Sequence, residues 1–281
     1  MPSKKLVALV DLTRPVNVAI TLVSIPAASV LAGAGWRQWF EVLLAALTGG
    51  LVAGAANAIN DRFDADIDRI NKPSRPIPRG DATQRDALIE WSVLSLIAIA
   101  LNVALNVYAI GIVISAVAIL YWYSAYFKRT VLAGNFIVGF MTGTAFIYGA
   151  VVVGNVERAL MPAIFAFLAN FAREILKDIE DIEGDRKEGA ATLPVRYGIQ
   201  PARIVASFAL VLLVAATVVA YQLGIYTIVY LYIVLVVDVL LAAVLVWMWI
   251  DLAPASIRKM SSALKASMVI GLVAIFLGSG L

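Results

Sequence analysis

Six aspartates fall into two copies of one spacing. Asp61, Asp64 and Asp68 form D-x2-D-x3-D, and Asp178, Asp181 and Asp185 repeat it, each displaced by 117 residues. On a helix that continues past Asn60, the residues Asn60, Asp64 and Asp68 lie at i, i+4 and i+8. Asp61 joins that side through its three-residue step to Asp64. Residues three and four apart are neighbours on a helix surface, so Asp178, Asp181 and Asp185 also share a face. Carboxylates crowded in this way repel one another unless a cation sits among them. A hard divalent cation takes oxygen ligands, and Mg²⁺ binds a few carboxylates and completes its shell with water and substrate phosphates. Two such clusters on the same side of a helical bundle could face each other across a cavity, an arrangement suited to a diphosphate clamped through two or more Mg²⁺. Either cluster alone also reads as a solvated acidic helix end. The repeated spacing favours the metal.

Basic residues follow the first cluster directly. Lys72, Arg75 and Arg79 alternate with Pro73, Pro76 and Pro78, and three prolines in six residues exclude a helix and stiffen the loop. Arg forks match phosphate oxygens, so Lys72 and Arg75 are expected to contact the diphosphate. The alternative is that they only set membrane topology. Lys128 closes the aromatic stretch Tyr121-Trp122-Tyr123-Ser124-Ala125-Tyr126-Phe127, either as a snorkelling anchor or as a third diphosphate contact. Arg14, before Pro15 and Asn17, binds an acceptor phosphate or anchors the interface, and Asn17 is grouped with it as a substrate contact. Asn57 lies one turn before Asn60 on the motif face. Asn170, Arg173 and Glu174 approach the second motif, and Asp238 stands alone in an apolar stretch, where intramembrane carboxylates are functional candidates.

The elements that must position these groups follow from composition. Of 281 residues 62% are hydrophobic and only 15% charged, with a mean hydropathy of +0.91. Soluble domains are about half apolar and about a quarter charged. Apolar stretches near the roughly 20 residues needed to cross a bilayer recur at about 15–33, 40–61, 87–107, 109–126, 131–153, 159–177, 203–222, 225–250 and 262–280. The expected architecture is therefore all-α and integral to the membrane: nine transmembrane helices around a central cavity, in one domain covering 1–281. Four spans separate the two motifs, which suggests a tandem four-helix repeat plus one. With the N-terminus in the cytoplasm, all of the 22 Lys and Arg except Arg37, Arg158 and Arg173 fall on the inner side, as the positive-inside rule requires. Both polar loops, 62–86 and 178–202, are then cytoplasmic, and the expected location is the cell membrane. The start of the chain does not read as a cleavable signal, because Asp11 and Arg14 interrupt its short apolar stretch. Cys and His are absent, which excludes disulfides, zinc–histidine sites and histidine acid–base chemistry. The basic residues sit in loops and speak for topology rather than nucleic acid, and no obligate protein partner is evident.

Asn60-Asp61-x-x-Asp64-x-x-x-Asp68 and Asp178-x-x-Asp181-x-x-x-Asp185 resemble the two Asp-rich motifs of the UbiA family of membrane prenyltransferases, and the resemblance covers nearly the whole chain. Asp68-Arg69-Ile70-Asn71-Lys72-Pro73-Ser74-Arg75-Pro76-Ile77-Pro78 is similar to the archaeal ether-lipid branch. So are Arg173-Glu174-Ile175-Leu176-Lys177-Asp178, Glu183-Gly184-Asp185 and Thr192-Leu193-Pro194. Chlorophyll synthases share much of these strings. The resemblance implies an Mg²⁺-dependent transfer of a prenyl group, geranylgeranyl in that branch, from its diphosphate to a lipophilic acceptor such as geranylgeranylglyceryl phosphate. A quinone precursor or chlorophyllide is the alternative acceptor. It implies metal ligands Asn60, Asp64, Asp68, Asp178, Asp181 and Asp185, with Asp61 beside them among the catalytic carboxylates. Aromatic faces can stabilise an allylic cation. Tyr123 is the substrate contact expected for that purpose, from a set that also holds Tyr121, Tyr126, Phe136, Phe140, Phe146 and Tyr148. A transporter would also have many helices and buried acids, but its acids tend to lie near the midplane rather than at two helix ends.

Overall fold

The computed structural model describes residues 2–280. Among these residues the regular structure is helical throughout, with no strand. Two compact units emerge, one comprising Met1–Phe127 with Tyr148–Val156 and the other Lys128–Ile147 with Glu157–Leu281.

The first unit begins with α1 (Pro2–Thr13), α2 (Pro15–Leu31), α3 (Trp39–Phe63), α4 (Ala65–Asn71), α5 (Gln84–Asn102) and α6 (Val107–Ala125). Pro15 has no N–H to continue α1 but suits the first position of α2, so the chain breaks there and the two helices meet at 48°. The break falls on Arg14, whose φ of 52° makes it the only described non-glycine residue with positive φ. Helix α5 starts from a reciprocal cap. The Asp86 N–H donates to Thr83 Oγ1 at 3.1 Å and the Thr83 N–H to Asp86 Oδ2 at 2.9 Å. Lys5 of α1 pairs with Asp86 at 2.9 Å. Ala8 and Leu12 of α1, Ala58 of α3, Ala65 of α4, Ile77 and Ala82 of the basic loop and Ala87 of α5 form one buried cluster. This cluster seats the basic loop against the end of α3.

The second unit holds most of α7 (Ala133–Val153), then α8 (Glu157–Glu180), α9 (Ile182–Lys187), α10 (Leu193–Tyr197), α11 (Ile199–Gln222), α12 (Ile228–Ile250) and α13 (Pro254–Gly278). Helices α7 and α8 approach closely through glycine. A Cβ on Gly139 would lie 2.9 Å from the Phe167 carbonyl oxygen, and one on Gly143 would lie 2.7 Å from that of Ala163. Such small-residue contacts let backbones approach where lipid offers no hydrophobic drive.

Among the described residues seven helices are long and apolar enough to cross a membrane: α3 with its preceding turn, α6, α7, α8, α11, α12 and α13. The bent α1–α2 pair makes up to eight. The two remaining expected spans fall outside that set for physical reasons. Helix α2 has only 17 residues, and α5 carries Arg85, Asp86 and Glu90 in its first two turns. Helices α1, α4, α9 and α10 were not expected from the hydropathy pattern, being short or polar. The chain is an all-α integral membrane protein.

Candidate active site

The first motif departs from the expected continuous helix. Helix α3 stops at Phe63, Asp64 stands at the junction with φ −92° and ψ 0°, and α4 resumes at Ala65. The backbone ladder nevertheless runs through the break. The Asp64 N–H donates to the Asn60 carbonyl at 3.0 Å, Asp68 to Asp64 at 2.8 Å and Lys72 to Asp68 at 2.8 Å. Asn60, Asp64 and Asp68 therefore remain on one file, and Asn60 Nδ2 donates to Asp64 Oδ2 at 3.0 Å.

Asp61 and Asp68 are 3% and 2% exposed, and buried carboxylates require partners. Arginines supply them. Arg14 Nη2 donates to Asp61 Oδ1. Arg75 Nη1 donates to the same oxygen at 3.2 Å and also to Asp68 Oδ2. The left-handed backbone of Arg14 costs on the order of 1–3 kcal/mol, and it sets a guanidinium against a buried carboxylate. The loop carrying Arg75 is a run of turns, as its prolines require, with Arg79 tied to Asp11 at 3.3 Å and to the Ser74 carbonyl at 3.2 Å. Asn57 Nδ2 donates to the Thr13 carbonyl at 2.8 Å, and Asn17 reaches Asn57 at 3.5 Å. These two expected substrate contacts thus also secure the α1–α2 bend. Lys72 is exposed at the end of α4.

The second motif repeats the break. Helix α8 ends at Glu180, Asp181 has φ −92° and ψ 6°, and α9 resumes at Ile182. The Asp181 N–H donates to the Lys177 carbonyl and the Asp185 N–H to that of Asp181, both at 2.9 Å. The partners of the outer carboxylates differ from those in the first motif. Asn135 Nδ2 donates to Asp178 Oδ2 at 2.7 Å, and Thr192 Oγ1 donates to Asp185 Oδ2 at 3.0 Å. Burial pushes the Asp185 carboxyl above the usual range. The Thr192 hydroxyl opposes that shift, and the charges of Asp181 and Glu188 add to it. Sequence reasoning missed both Asn135 and Thr192. A signal for Thr192 existed, since the 117-residue offset carries Arg75 onto it. Asn135 had none until α7 was seen to pack on α8: Asn135, Gly139 and Gly143 recur every fourth residue along α7. Lys177 and Arg173 are both engaged by Glu174, at 2.8 and 2.9 Å.

The other expected residues scatter. Lys128 lies in the short 3-10 turn Phe127–Arg129, and Tyr123 is half-buried near the end of α6. Tyr121 packs on Phe63, which closes α3, at 5.5 Å, and on Trp91 at 5.1 Å. Tyr148 is committed to a buried network in the first unit, donating to Asn102 Oδ1 at 2.8 Å while Asn102 donates to Thr48 at 3.0 Å. In the second unit Phe136 meets Phe167 edge-on and Phe167 stacks on Phe171. Asp238 accepts the Thr217 hydroxyl at 3.0 Å.

The donor chemistry fits Mg²⁺. The available ligands are carboxylate and amide oxygens, the kind a hard cation takes. Asp61 and Asp68 already gather around a positive guanidinium, and Asp185 is a half-buried carboxyl held by the Thr192 hydroxyl. Among the described residues no three acidic groups converge as a preformed cage.

Residues 20–272 match the model of the UbiA prenyltransferase family. The digeranylgeranylglyceryl phosphate synthase of Methanothermobacter thermautotrophicus is 34% identical over 273 residues, covering 96% of this chain and 95% of that protein. A solved structure of digeranylgeranylglyceryl phosphate synthase in membranes matches with a TM-score of 0.86 at 32% identity, over 98% of each chain. A UbiA homolog from Archaeoglobus fulgidus, solved with DMAPP and Mg²⁺, shares the fold with a TM-score of 0.69 at 20% identity over 96% of this chain and 99% of that one. A match across nearly the whole chain places it among prenyl-transferring enzymes rather than transporters. The chain belongs to the UbiA prenyltransferase family.

Proposed function

We propose that this prenyltransferase moves a geranylgeranyl group from geranylgeranyl diphosphate to geranylgeranylglyceryl phosphate, using Mg²⁺ held by both Asp motifs. The observation that carries the reading is the duplicated Asp turn. The same spacing and the same helix break at the middle Asp occur in each unit, with backbone bonds that keep the carboxylates in register. The acceptor follows from the synthases that the chain resembles over almost its full length. Asn60, Asp64 and Asp68 in one unit, and Asp178, Asp181 and Asp185 in the other, would hold the metal. Bound there, Mg²⁺ would neutralise the diphosphate and make it a better leaving group.

The chain's own groups do the rest. Lys72, Arg75 and Lys128 donate to the diphosphate oxygens as charge builds on them during C–O cleavage, the moment at which fixed donors lower a barrier. Arg75 also holds Asp61 and Asp68 in place. Arg14 and Asn17 bind the acceptor phosphate, and a motif carboxylate takes the proton from the acceptor hydroxyl. Tyr123 shields the allylic carbon from water and offers its ring face to the developing positive charge. The proposed setting is the cell membrane, with nine spans around a central cavity and with the N-terminus and both motif loops in the cytoplasm. The matched breaks at Asp64 and Asp181 support descent of the two units from one duplicated segment.

The test is an assay in detergent with labelled geranylgeranyl diphosphate and a panel of acceptors. Transfer to geranylgeranylglyceryl phosphate, abolished by EDTA and restored by Mg²⁺, is the expected result. Transfer confined to an aromatic acceptor or chlorophyllide would overturn the acceptor assignment. Activity indifferent to EDTA would overturn the metal.

A further inference from the structure

The two Asp turns share backbone geometry but are unequal in charge. In the first, the outer carboxylates Asp61 and Asp68 are paired with the guanidinium groups of Arg14 and Arg75. In the second, the corresponding Asp178 and Asp185 are held by an amide, Asn135, and a hydroxyl, Thr192. Among the described residues no Lys or Arg forms an ion pair with Asp178, Asp181 or Asp185. The adjacent Lys177 turns its ammonium to both oxygens of Glu174. A neutral donor orients a carboxylate without cancelling its charge, whereas a guanidinium does both. Hydrogen bonds to ligating carboxylates fix their direction, and loss of such a partner costs about 10–100-fold in metal affinity.

We infer that Asn135 and Thr192 are positioning residues that keep the second Asp turn oriented and uncompensated, so that it binds a divalent cation before the diphosphate arrives. The first turn, partly neutralised by Arg14 and Arg75, takes its cation only together with the diphosphate. The inference rests on the reading that both motifs hold Mg²⁺. Neither residue belongs to an Asp motif. Thr192 is 3% exposed and Asn135 5%, so each points its polar group inward at one carboxylate. The glycine face of α7 brings Asn135 to α8, and the residues from Asp185 to Thr192 close a turn in which the Ala190 N–H donates to the Asp185 carbonyl at 2.9 Å.

The experiment measures Mn²⁺ binding to the full-length protein in detergent by electron paramagnetic resonance, with and without a prenyl diphosphate. Without diphosphate, the wild type should bind Mn²⁺, Asp181→Asn should not, and Asp68→Asn should bind as wild type does. Thr192→Val, which keeps the shape and removes the hydroxyl, should weaken that binding by about tenfold, and Thr192→Ser should restore it. Matched melting temperatures for the Val and Ser variants separate positioning from folding. Unchanged affinity in Thr192→Val, or diphosphate-free binding lost in Asp68→Asn but kept in Asp181→Asn, would overturn the inference and leave the metal reading standing. Absence of Mn²⁺ binding even with diphosphate present would overturn the metal reading itself.

Discussion

Arg75→Lys separates geometry from charge. Arg75 Nη1 is shared between Asp61 Oδ1, at 3.2 Å, and Asp68 Oδ2. At that range and an effective dielectric near 20, one such pair is worth on the order of 4–5 kcal/mol before desolvation is subtracted. A lysine keeps most of that attraction, because the charge survives. It loses the planar fork, and its ammonium, on a flexible stem, does not reproduce a shared contact. A hydrogen bond to a charged group contributes roughly 1.5–3 kcal/mol net. Releasing one of the two carboxylates therefore predicts at least about a tenfold fall in kcat/KM for the prenyl diphosphate, or about 1.4 kcal/mol of transition-state stabilisation. The assay varies prenyl diphosphate at fixed acceptor, so that a donor defect appears in that titration, and a melting curve in detergent runs alongside. A cycle with Asp68→Asn adds a second check. If Arg75 acts through Asp68, the two losses will not add. Wild-type kinetics for Arg75→Lys would show that charge alone suffices and would return the loop to a topological role. Additive losses would refute the route through Asp68.

Asp64→Ala and Asp181→Ala should each remove most turnover at saturating Mg²⁺ while leaving the gel-filtration profile unchanged, since each deletes the middle carboxylate of one turn; near-normal turnover in either would refute the two-motif mechanism. Gly143→Val should lower stability by about 1–3 kcal/mol, the usual cost of overpacking, because its Cβ would sit 2.7 Å from the Ala163 carbonyl oxygen; an unchanged unfolding midpoint would argue against the close α7–α8 approach. Lys5 and the Thr83 cap hold the Asp86 carboxyl down at about 2, against an ordinary 3.8. A depressed carboxyl contributes stability that is fully present above its unfolded pKa and is lost as pH falls through the folded one. The melting temperature should therefore drop between about pH 4 and pH 2, and Asp86→Asn should flatten that part of the profile.

The sequence alone determined the solvent, the class of chemistry and the register of the site. Hydropathy requires lipid, and in lipid the backbone must satisfy itself, which leaves helices or a closed barrel; the long apolar stretches select helices. In a chain without Cys or His, the acidic spacing leaves oxygen donors, the kind a hard cation takes. These conclusions rest on local periodicity, which a single helix already expresses. Asn60, Asp64 and Asp68 kept their register across the unexpected break because the i→i−4 backbone bonds did. The distant partners of the carboxylates were decided only by tertiary structure. Arg14 and Asp61 are 47 residues apart in sequence, and Asn135 and Asp178 are 43 apart, distances at which spacing carries no phase information. Arg14 reaches Asp61 because Pro15 breaks the helix and the backbone turns left-handed there, and Asn135 reaches Asp178 because two glycines let α7 close on α8. Such contacts depend on how faces pack and on which small residues permit approach, and a one-dimensional pattern does not encode that pairing.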